Sequence, residues 1–314
     1  MKKNMIALAV AAAMVPGFAA AEGATISGYN DITWTHDNDS NLFWATTEVD
    51  IRNTMGDVTV GADIDINLLN SDNANNAVVL EQAFFAWNAA ENVTVIGGKF
   101  NNPIGLDAED TLDQPTTQAG LIYGILDTAT GLHDGNNISG LAVAYDAGVA
   151  TVTVGLLNEI QGQGNVSTYT STDTQNDDNS IALVVNASPV EGLDLELGYV
   201  TMDDDAGTLG SSALDINASF NTGPITVTAE ILDVDAYDDI LYGVAGYYDV
   251  LEGTQVGLRY ESNDNAEAGV GTDQTNLIVW HDLADNLILG AGYNMLSTGS
   301  DDDEQFVVEF LAKF

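Results

Sequence analysis

Acidic side chains alternate with apolar ones in several stretches of this sequence. Between Val58 and Leu68, Asp63 and Asp65 share one set of alternate positions, while valine, alanine, isoleucine and leucine occupy the other. Successive side chains of a strand point to opposite faces, so this pattern puts carboxylates on one face and hydrocarbon on the other. Carboxylates grouped along a water-filled passage attract cations. Alternation assigns these acidic residues to polar faces: Asp31, Glu48, Asp50, Asp63, Asp65, Asp194, Glu196, Asp215, Glu230 and Glu261.

Residues that catalyse reactions or bind transition metals do not occur at useful spacings. The three histidines, His36, His133 and His281, lie far apart in the sequence, and there is no cysteine and no G-x-S-x-G motif. His133 and His281 each precede an aspartate, but neighbouring residues on a strand point to opposite faces and do not act together. We therefore expect that the protein is not an enzyme.

Clustered carboxylates in the expected loops suggest a second kind of chemistry, because oxygen ligands suit Ca²⁺. Asp233, Asp235 and Asp239 begin like a calcium loop, but the central glycine and the closing glutamate are missing. Similar clusters occur at 203–205 and 301–304. Solvated charge suited to a salty habitat is the simpler interpretation. We expect no cofactor, with calcium at these loops as the alternative.

The overall charge excludes several partners. The chain has 48 acidic and 6 basic residues, which gives a formal net charge of -42. Such a surplus repels nucleic acid and anionic surfaces. With 45% hydrophobic and 17% charged residues, the chain is too apolar to be disordered.

The first 21 residues have the layout of a secretory signal. Lys2 and Lys3 precede an apolar run at 5–15, and three alanines at 19–21 form a small-residue cleavage site. We expect residues 1–21 to be removed and residues 22–314 to form a single β-barrel domain. No later stretch is long and apolar enough for a membrane-spanning helix. An exported chain that crosses a membrane with strands must close into a barrel, because an open sheet edge leaves backbone groups unpaired in lipid.

The rhythm of the alternating stretches predicts an all-β, transmembrane, antiparallel up-and-down barrel of about 16 strands. Short turns alternate with longer polar loops, as in outer-membrane barrels, whose short turns are periplasmic and whose long loops are external. The longer loops are predicted at 36–41, 70–77, 101–137, 159–179, 203–211, 233–239, 263–274 and 297–303. Poor alternation at 78–88, 93–100 and 275–283 leaves 12 or 14 strands as alternatives. No helix is predicted.

The tryptophans Trp34, Trp44, Trp87 and Trp280 are interpreted as parts of interfacial girdles. Amphipathic rings settle where lipid meets water. Sugar binding along a passage is the alternative.

Two hairpins resemble those of Gram-negative porins. The first has the strand EQAFFAWN at 81–88 and then VTVIGGKFNNPIG at 93–105, and the second has ISGLAVAY at 138–145 and TVTVGLLN at 151–158. The resemblance implies a trimer of 16-stranded outer-membrane barrels, in which the loop after the fifth strand folds inward and narrows the pore. In this chain that loop is 101–137, and its predicted constriction residues are Asp107, Glu109, Asp110 and Asp113.

The porins that this chain resembles set a cluster of arginines against the acidic loop, whereas few basic residues are present here. The predicted pore-wall residues are Arg52, Lys99, Arg259, Glu48, Asp50, Asp63, Asp65 and Glu261. The last strand, with Phe310 and Phe314 at alternate positions, resembles the signal that the barrel-assembly machinery recognises.

These features together predict an outer-membrane diffusion channel for ions and small polar solutes, with a weak preference for cations. The expected partners are outer-membrane lipid, the assembly machinery, the passing solutes and two further copies of the chain. A non-conducting barrel that serves as an adhesin or structural surface protein is the second hypothesis. A soluble, salt-adapted β-protein is the third.

Overall fold

The computed structural model describes residues 23–37, 41–67, 78–107, 114–129, 137–158, 179–202, 209–264, 271–299 and 301–314. No helix among these residues is long and apolar enough to cross a membrane. The first eight strands are β1 (Thr25–His36), β2 (Asn41–Met55), β3 (Val58–Asn67), β4 (Val78–Ala90), β5 (Val93–Asn101), β6 (Asn137–Asp146), β7 (Ala150–Asn158) and β8 (Asn179–Val190). The others are β9 (Leu193–Thr201), β10 (Ser212–Thr222), β11 (Ile225–Val234), β12 (Leu241–Leu251), β13 (Thr254–Asn263), β14 (Thr272–Ala284), β15 (Leu287–Thr298) and β16 (Asp301–Lys313). Within the described part of the connection between β5 and β6, residues Leu121–Ala129 form helix α1.

The sheet closes on itself. Each strand pairs with its neighbours in the chain, and β1 pairs antiparallel with β16. The last residue takes part in this closure, because the Phe314 amide donates to the Gly28 carbonyl at 3.0 Å and the Gly28 amide donates back at 3.2 Å. A closed barrel leaves no unpaired strand edge in lipid. The prediction of about 16 strands is confirmed, and the alternatives of 12 and 14 are wrong.

Period-two alternation sorts the side chains between the two faces. On β9, Leu195 and Leu197 are 39% and 41% exposed, whereas Glu196 between them is 3% exposed. The last strand follows the same rule, since Phe306, Phe310 and the chain end are exposed while Glu309 is buried. The apolar outer face suits hydrocarbon and the polar residues face inward.

The three stretches that alternate poorly are nevertheless strands β4, β5 and β14. On β4 the cause is an irregularity in the pairing with β3: Asp63 pairs with Gln82, but the next residue, Ile64, pairs with Leu80. The extra residue, Glu81, is a bulge that breaks the period of two.

The connection between β15 and β16 is shorter than predicted. Seven of the other connections are tight turns at the predicted places, and here too only two residues separate the end of β15 from the start of β16. Ser297 pairs with Asp302 and Thr298 with Asp301, and the Ser297 hydroxyl donates to the Asp302 carboxylate at 2.7 Å. The prediction of a loop at 297–303 is therefore wrong, because backbone pairing between the two strands continues through these residues.

Helix α1 was not predicted, and the expectation of no helix is wrong. Ile122, Ile125 and Leu126 share one face at helical spacing. Ile122 and Leu126 join Ile104 in an apolar cluster against the inner wall, which contributes Ile138, Leu157, Val184, Val200, Leu232, Val234 and Leu241. A helix of nine residues is marginal on its own in water, so its burial against the wall stabilises it.

Candidate functional site

The strand register aligns residues of seven strands into one row on the inner face of the barrel. From β8 to β14 the paired positions are Asn186, Glu196, Asn217, Glu230, Gly243, Glu261 and Gln274. We call these residues the inner polar row. Six of the seven carry hydrogen-bonding side chains, so the row offers polar contacts around nearly half of the barrel's circumference.

The inner polar row holds the connection between β5 and β6, whose described parts, 102–107 and 114–129, we call the internal segment. The Leu106 amide donates to Glu230 Oε1 at 2.8 Å, and the Leu121 amide donates to Glu261 Oε2 at 2.5 Å. Gln274 Nε2 donates to the Ala119 carbonyl at 3.2 Å. Because Leu121 begins α1, the Glu261 carboxylate caps the positive end of that helix.

Arg259 forms the strongest link between wall and internal segment. It lies two residues before Glu261 on β13 and is 4% exposed. Its Nη1 contacts both carboxylate oxygens of Asp107, at 3.0 and 2.7 Å, and its Nη2 donates to the Gln118 carbonyl at 2.9 Å. Its Nε also lies 3.9 Å from Glu261 Oε2. Charge-assisted bonds of this kind are about twice as strong as neutral ones, so they fix the position of the segment.

Glycines on the wall let the internal segment approach closely. A Cβ atom added at Gly198 would lie 2.3 Å from Ile104 Cγ2, and one at Gly292 would lie 2.1 Å from Thr117 Oγ1. Real Cβ atoms essentially never approach another atom so closely, so Ile104 and Thr117 would have to shift. The absent side chains therefore make room for the segment on two sides of the barrel.

Trp280 lies inside the barrel and not in an interfacial girdle. It is 4% exposed, and its Nε1 donates to the Pro115 carbonyl of the internal segment at 3.1 Å. The prediction for Trp280 is wrong, because its ring faces the internal segment instead of lipid. Trp44 and Trp87 are 38% and 45% exposed, as an interfacial position requires.

The wall on the far side of the barrel carries a cluster of carboxylates. In the ring of 16 strands, β3 is nine strands away from β12 in one direction and seven in the other. The wall around β3 therefore lies opposite the wall around β12, which is part of the inner polar row. Carboxylate oxygens of Glu48, Asp65 and Glu81 lie within 4.8 Å of one another, as do those of Glu48, Asp50 and Asp63. We call these five residues the acidic wall.

Arg52 is the cation beside the acidic wall. Its guanidinium forms two hydrogen bonds with the Asp63 carboxylate, one of 2.7 Å through Nη2, and lies 5.1 Å from the centre of the Phe84 ring. The side chain of Arg52 is 34% exposed. Five carboxylates and one guanidinium leave this wall strongly negative.

A family model of Gram-negative porins matches residues 7–301. The chain belongs to the Gram-negative porin family. It is therefore an outer-membrane porin, and this family consists of channel proteins rather than enzymes.

Solved porin structures share the fold. The anion-selective porin from Comamonas acidovorans matches with a TM-score of 0.68 and 14% identity, over 93% of this chain and 99% of its own. A mutant of the Rh. blastica porin matches with a TM-score of 0.64 and 15% identity, over 93% and 100%. OmpT of Vibrio cholerae with loop L8 deleted matches with a TM-score of 0.62 and 15% identity, over 94% and 100%. No curated protein sequence matches the chain.

Lys99 of this porin is not on the inner face. Its register partners are Ala83 and Ser139, and its alternate neighbour Gly97 approaches the exposed side chains of Phe85 and Leu141. The prediction of Lys99 as a pore-wall residue is therefore wrong. The strand's period of two places Lys99 on the outer face, near the loop end of β5.

Some of the predicted site residues lie outside the described part of the chain. The three calcium candidates are described, but they do not form a shared set of calcium ligands. Glu109, Asp110 and Asp113 lie outside the described residues, as does the predicted signal at 1–21. Of the calcium candidates, Asp233 lies within β11, where it pairs with Leu214. Asp235 accepts hydrogen bonds from the Ser211 amide and hydroxyl, and Asp239 precedes β12. Asp235 thus joins two loops, and calcium at this position stays a prediction.

Sequence reasoning missed two residues that contribute to the site. Glu81 is 1% exposed, and its Oε1 accepts a hydrogen bond from Asn137 at 3.1 Å. The one sequence signal was the adjacent polar pair Glu81 and Gln82 within an apolar strand, which is typical of a bulge. Gln274 was also missed, because neither its type nor its neighbours set it apart.

Proposed function

We propose that this porin is a passive diffusion channel for ions and small hydrophilic solutes, narrowed between the internal segment and the acidic wall. The ion pair between Arg259 and Asp107 carries this proposal, because it ties the segment to the inner wall of the barrel. Hydrogen bonds from Leu106 and Leu121 to wall carboxylates support it. A passage of this kind needs no moving part and no bound cofactor.

The side chains favour a weak preference for cations. The acidic wall has Arg52 as its cation, and Arg259 across the barrel is matched by Asp107 and Glu261. Carboxylates around a narrow pore favour cations, and salt screens them least where the pore is narrowest. The similar porin from Comamonas acidovorans is described as anion-selective. Selectivity therefore has to come from the side chains and not from the shared fold.

Conductance of the purified protein in a planar bilayer tests whether it is a channel at all. We expect stepwise, ohmic current increases in KCl, which small polyethylene glycols reduce and large ones leave unchanged. This size dependence follows because only small polymers enter the narrowed passage. Insertion of folded barrels without current steps would contradict the proposal and favour the alternative of a non-conducting adhesin or structural surface barrel.

Phe314 supports a proposal about assembly. The ring is 57% exposed on the closing strand, while its backbone pairs with Gly28. We infer that Phe310 and Phe314 are read by the barrel-assembly machinery after a signal at 1–21 has been cleaved. The family resemblance further suggests that the assembled product is a homotrimer.

Phe314→Ala is expected to lower the amount of folded porin in the outer membrane severalfold, with unchanged conductance for each inserted channel. The backbone bonds to Gly28 remain in this variant, so only the ring is tested. The matched control is Phe220→Ala, which removes another outward ring, 42% exposed, from β10. Folded, heat-modifiable protein in membrane fractions is the readout. Equal losses for the two variants would show that only lipid contact had been lost.

A further inference from the structure

The inner polar row has one position without a side chain. Gly243 on β12 lies in the row between Glu230 of β11 and Glu261 of β13, and both of these carboxylates hold the internal segment. A cavity of about 10 Å³ lies at this gap. Its lining includes Glu230, Gly243, Tyr247, Arg259 and Glu261 of the wall and Asp107 of the internal segment. The missing side chain therefore leaves a small polar space between the wall and the segment.

Two polar groups of the side chains that line this cavity have no hydrogen-bond partner among the described residues. They are the Tyr247 hydroxyl and Arg259 Nε, and both residues are 4% exposed. The other nitrogens of Arg259 bind Asp107 and the Gln118 carbonyl. Arg259 Nε lies 3.9 Å from Glu261 Oε2, which is too far for a hydrogen bond. Buried donors in folded proteins nearly always bind protein atoms or ordered water, because an unmet donor is destabilising.

Tyr247 and Arg259 reach the cavity from adjacent strands. Tyr247 pairs with Gly257 of β13, and a Cβ atom added at Gly257 would lie 2.4 Å from Tyr247 Cδ1. The glycine thus makes room for the tyrosine ring against the wall. Arg259 lies two residues farther along β13, so it projects from the same inner face. The fold therefore brings both unmet donors to one small space.

The size and the lining of the cavity select its ligand. One water molecule needs a cavity of about 10–15 Å³ and two to four polar partners. An apolar molecule would desolvate the charged groups around it. A metal ion is disfavoured, because the guanidinium of Arg259 is positively charged and its Nε–H can only donate. Water can accept hydrogen bonds from Nε–H and from a hydroxyl, and it can donate to the carboxylates that line the cavity.

We propose that one water molecule is bound in this cavity as a fixed part of the anchor that holds the internal segment. It accepts hydrogen bonds from Arg259 Nε and from the Tyr247 hydroxyl. Tyr247 is then a positioning residue, because it acts on the internal segment through the water and Arg259. The bound water does not depend on the proposed conduction.

Diffraction from crystals of the unmodified porin tests the water site directly. We expect one spherical peak of electron density in the cavity, about 2.7–3.2 Å from Arg259 Nε and about 2.5–3.0 Å from the Tyr247 hydroxyl oxygen. Crystals soaked in rubidium chloride should give no anomalous scattering at this peak. An empty cavity would overturn the proposal. An anomalous peak would also overturn it, because it would identify a monovalent cation in place of water.

Tyr247→Phe tests the positioning role, because it removes the hydroxyl and keeps the ring against Gly257. The density should be lost or should move away from Arg259 Nε, and chymotrypsin should cleave at Tyr123 severalfold faster, since a water-mediated contact has been removed. The matched control is Tyr248→Phe, which removes a hydroxyl from an outward ring, 47% exposed, and should be cleaved at the wild-type rate. Density at the wild-type distance from Arg259 Nε in Tyr247→Phe, or cleavage no faster than in the control, would overturn the role of Tyr247. The diffraction test of the unmodified protein holds even if this variant does not fold.

Discussion

Arg259→Met is expected to lower the free energy of unfolding by about 3–5 kcal/mol, because it leaves partners of a buried ion pair without compensation. Asp107 and Glu261 would remain, both largely buried beside the lost guanidinium. The internal segment should then leave its position against β13. We expect larger current noise in the open channel and faster cleavage by chymotrypsin at Tyr123, since trypsin has no lysine or arginine to cut within 101–137.

The effect of Arg259 can be separated from a general loss of positive charge. Lys313→Met removes a cation from the last strand and should leave the segment protected. Adding Asp107→Asn and Glu261→Gln to Arg259→Met removes the uncompensated carboxylates and should recover part of the stability. Unfolding in urea and proteolysis are the two readouts. Wild-type stability and protection in Arg259→Met would contradict the account of how the segment is held.

Neutralising part of the acidic wall is expected to have the largest effect on selectivity. The variant combines Glu48→Gln, Asp65→Asn and Glu81→Gln, and leaves the pair of Arg52 and Asp63 intact. A carboxylate beside the passage attracts cations and repels anions, and a unit charge about 4 Å from a passing ion contributes about 1 kcal/mol in water. We therefore expect the weak preference of the wild type to be lost, so that the permeability ratio of K⁺ to Cl⁻, measured by the reversal potential, falls toward one.

The matched control removes the same number and types of charge from exposed turns, through Asp57→Asn, Glu91→Gln and Glu191→Gln. Those carboxylates are solvated and lie at the rim, where salt screens them within about 8–10 Å. Their loss should change the ratio little. A fall of equal size in both variants would show that the total charge of the barrel sets selectivity and that the acidic wall has no special role.

The fold could be predicted largely because period-two alternation is a local property of the sequence. Leu195, Glu196 and Leu197 reveal their faces with no knowledge of their partners, and closure follows from the needs of backbone groups in lipid. Local signals failed where the chain departs from that period. Glu81 sits in a bulge, and α1 depends on wall residues that lie far away in the sequence.

The site was less predictable, because its decisive contacts join distant positions. Arg259 and Asp107 are 152 residues apart, and nothing in either sequence neighbourhood marks them as partners. Lys99 shows a different error: its charge suggested the pore wall, but its place in the alternation with Val95 and Gly97 indicated the outer face. Strand periodicity was the better guide than residue type, because the barrel fixes the direction of each side chain.

The reversal potential of the unmodified porin in a planar bilayer, under a tenfold KCl gradient, tests the central claim most directly. The acidic wall faces an internal segment whose Asp107 is neutralised by Arg259, so we expect a potential with the sign of cation preference. This potential should shrink as the salt concentration rises, because the Debye length shortens. A potential with the sign of anion preference, at any salt concentration, would contradict the account.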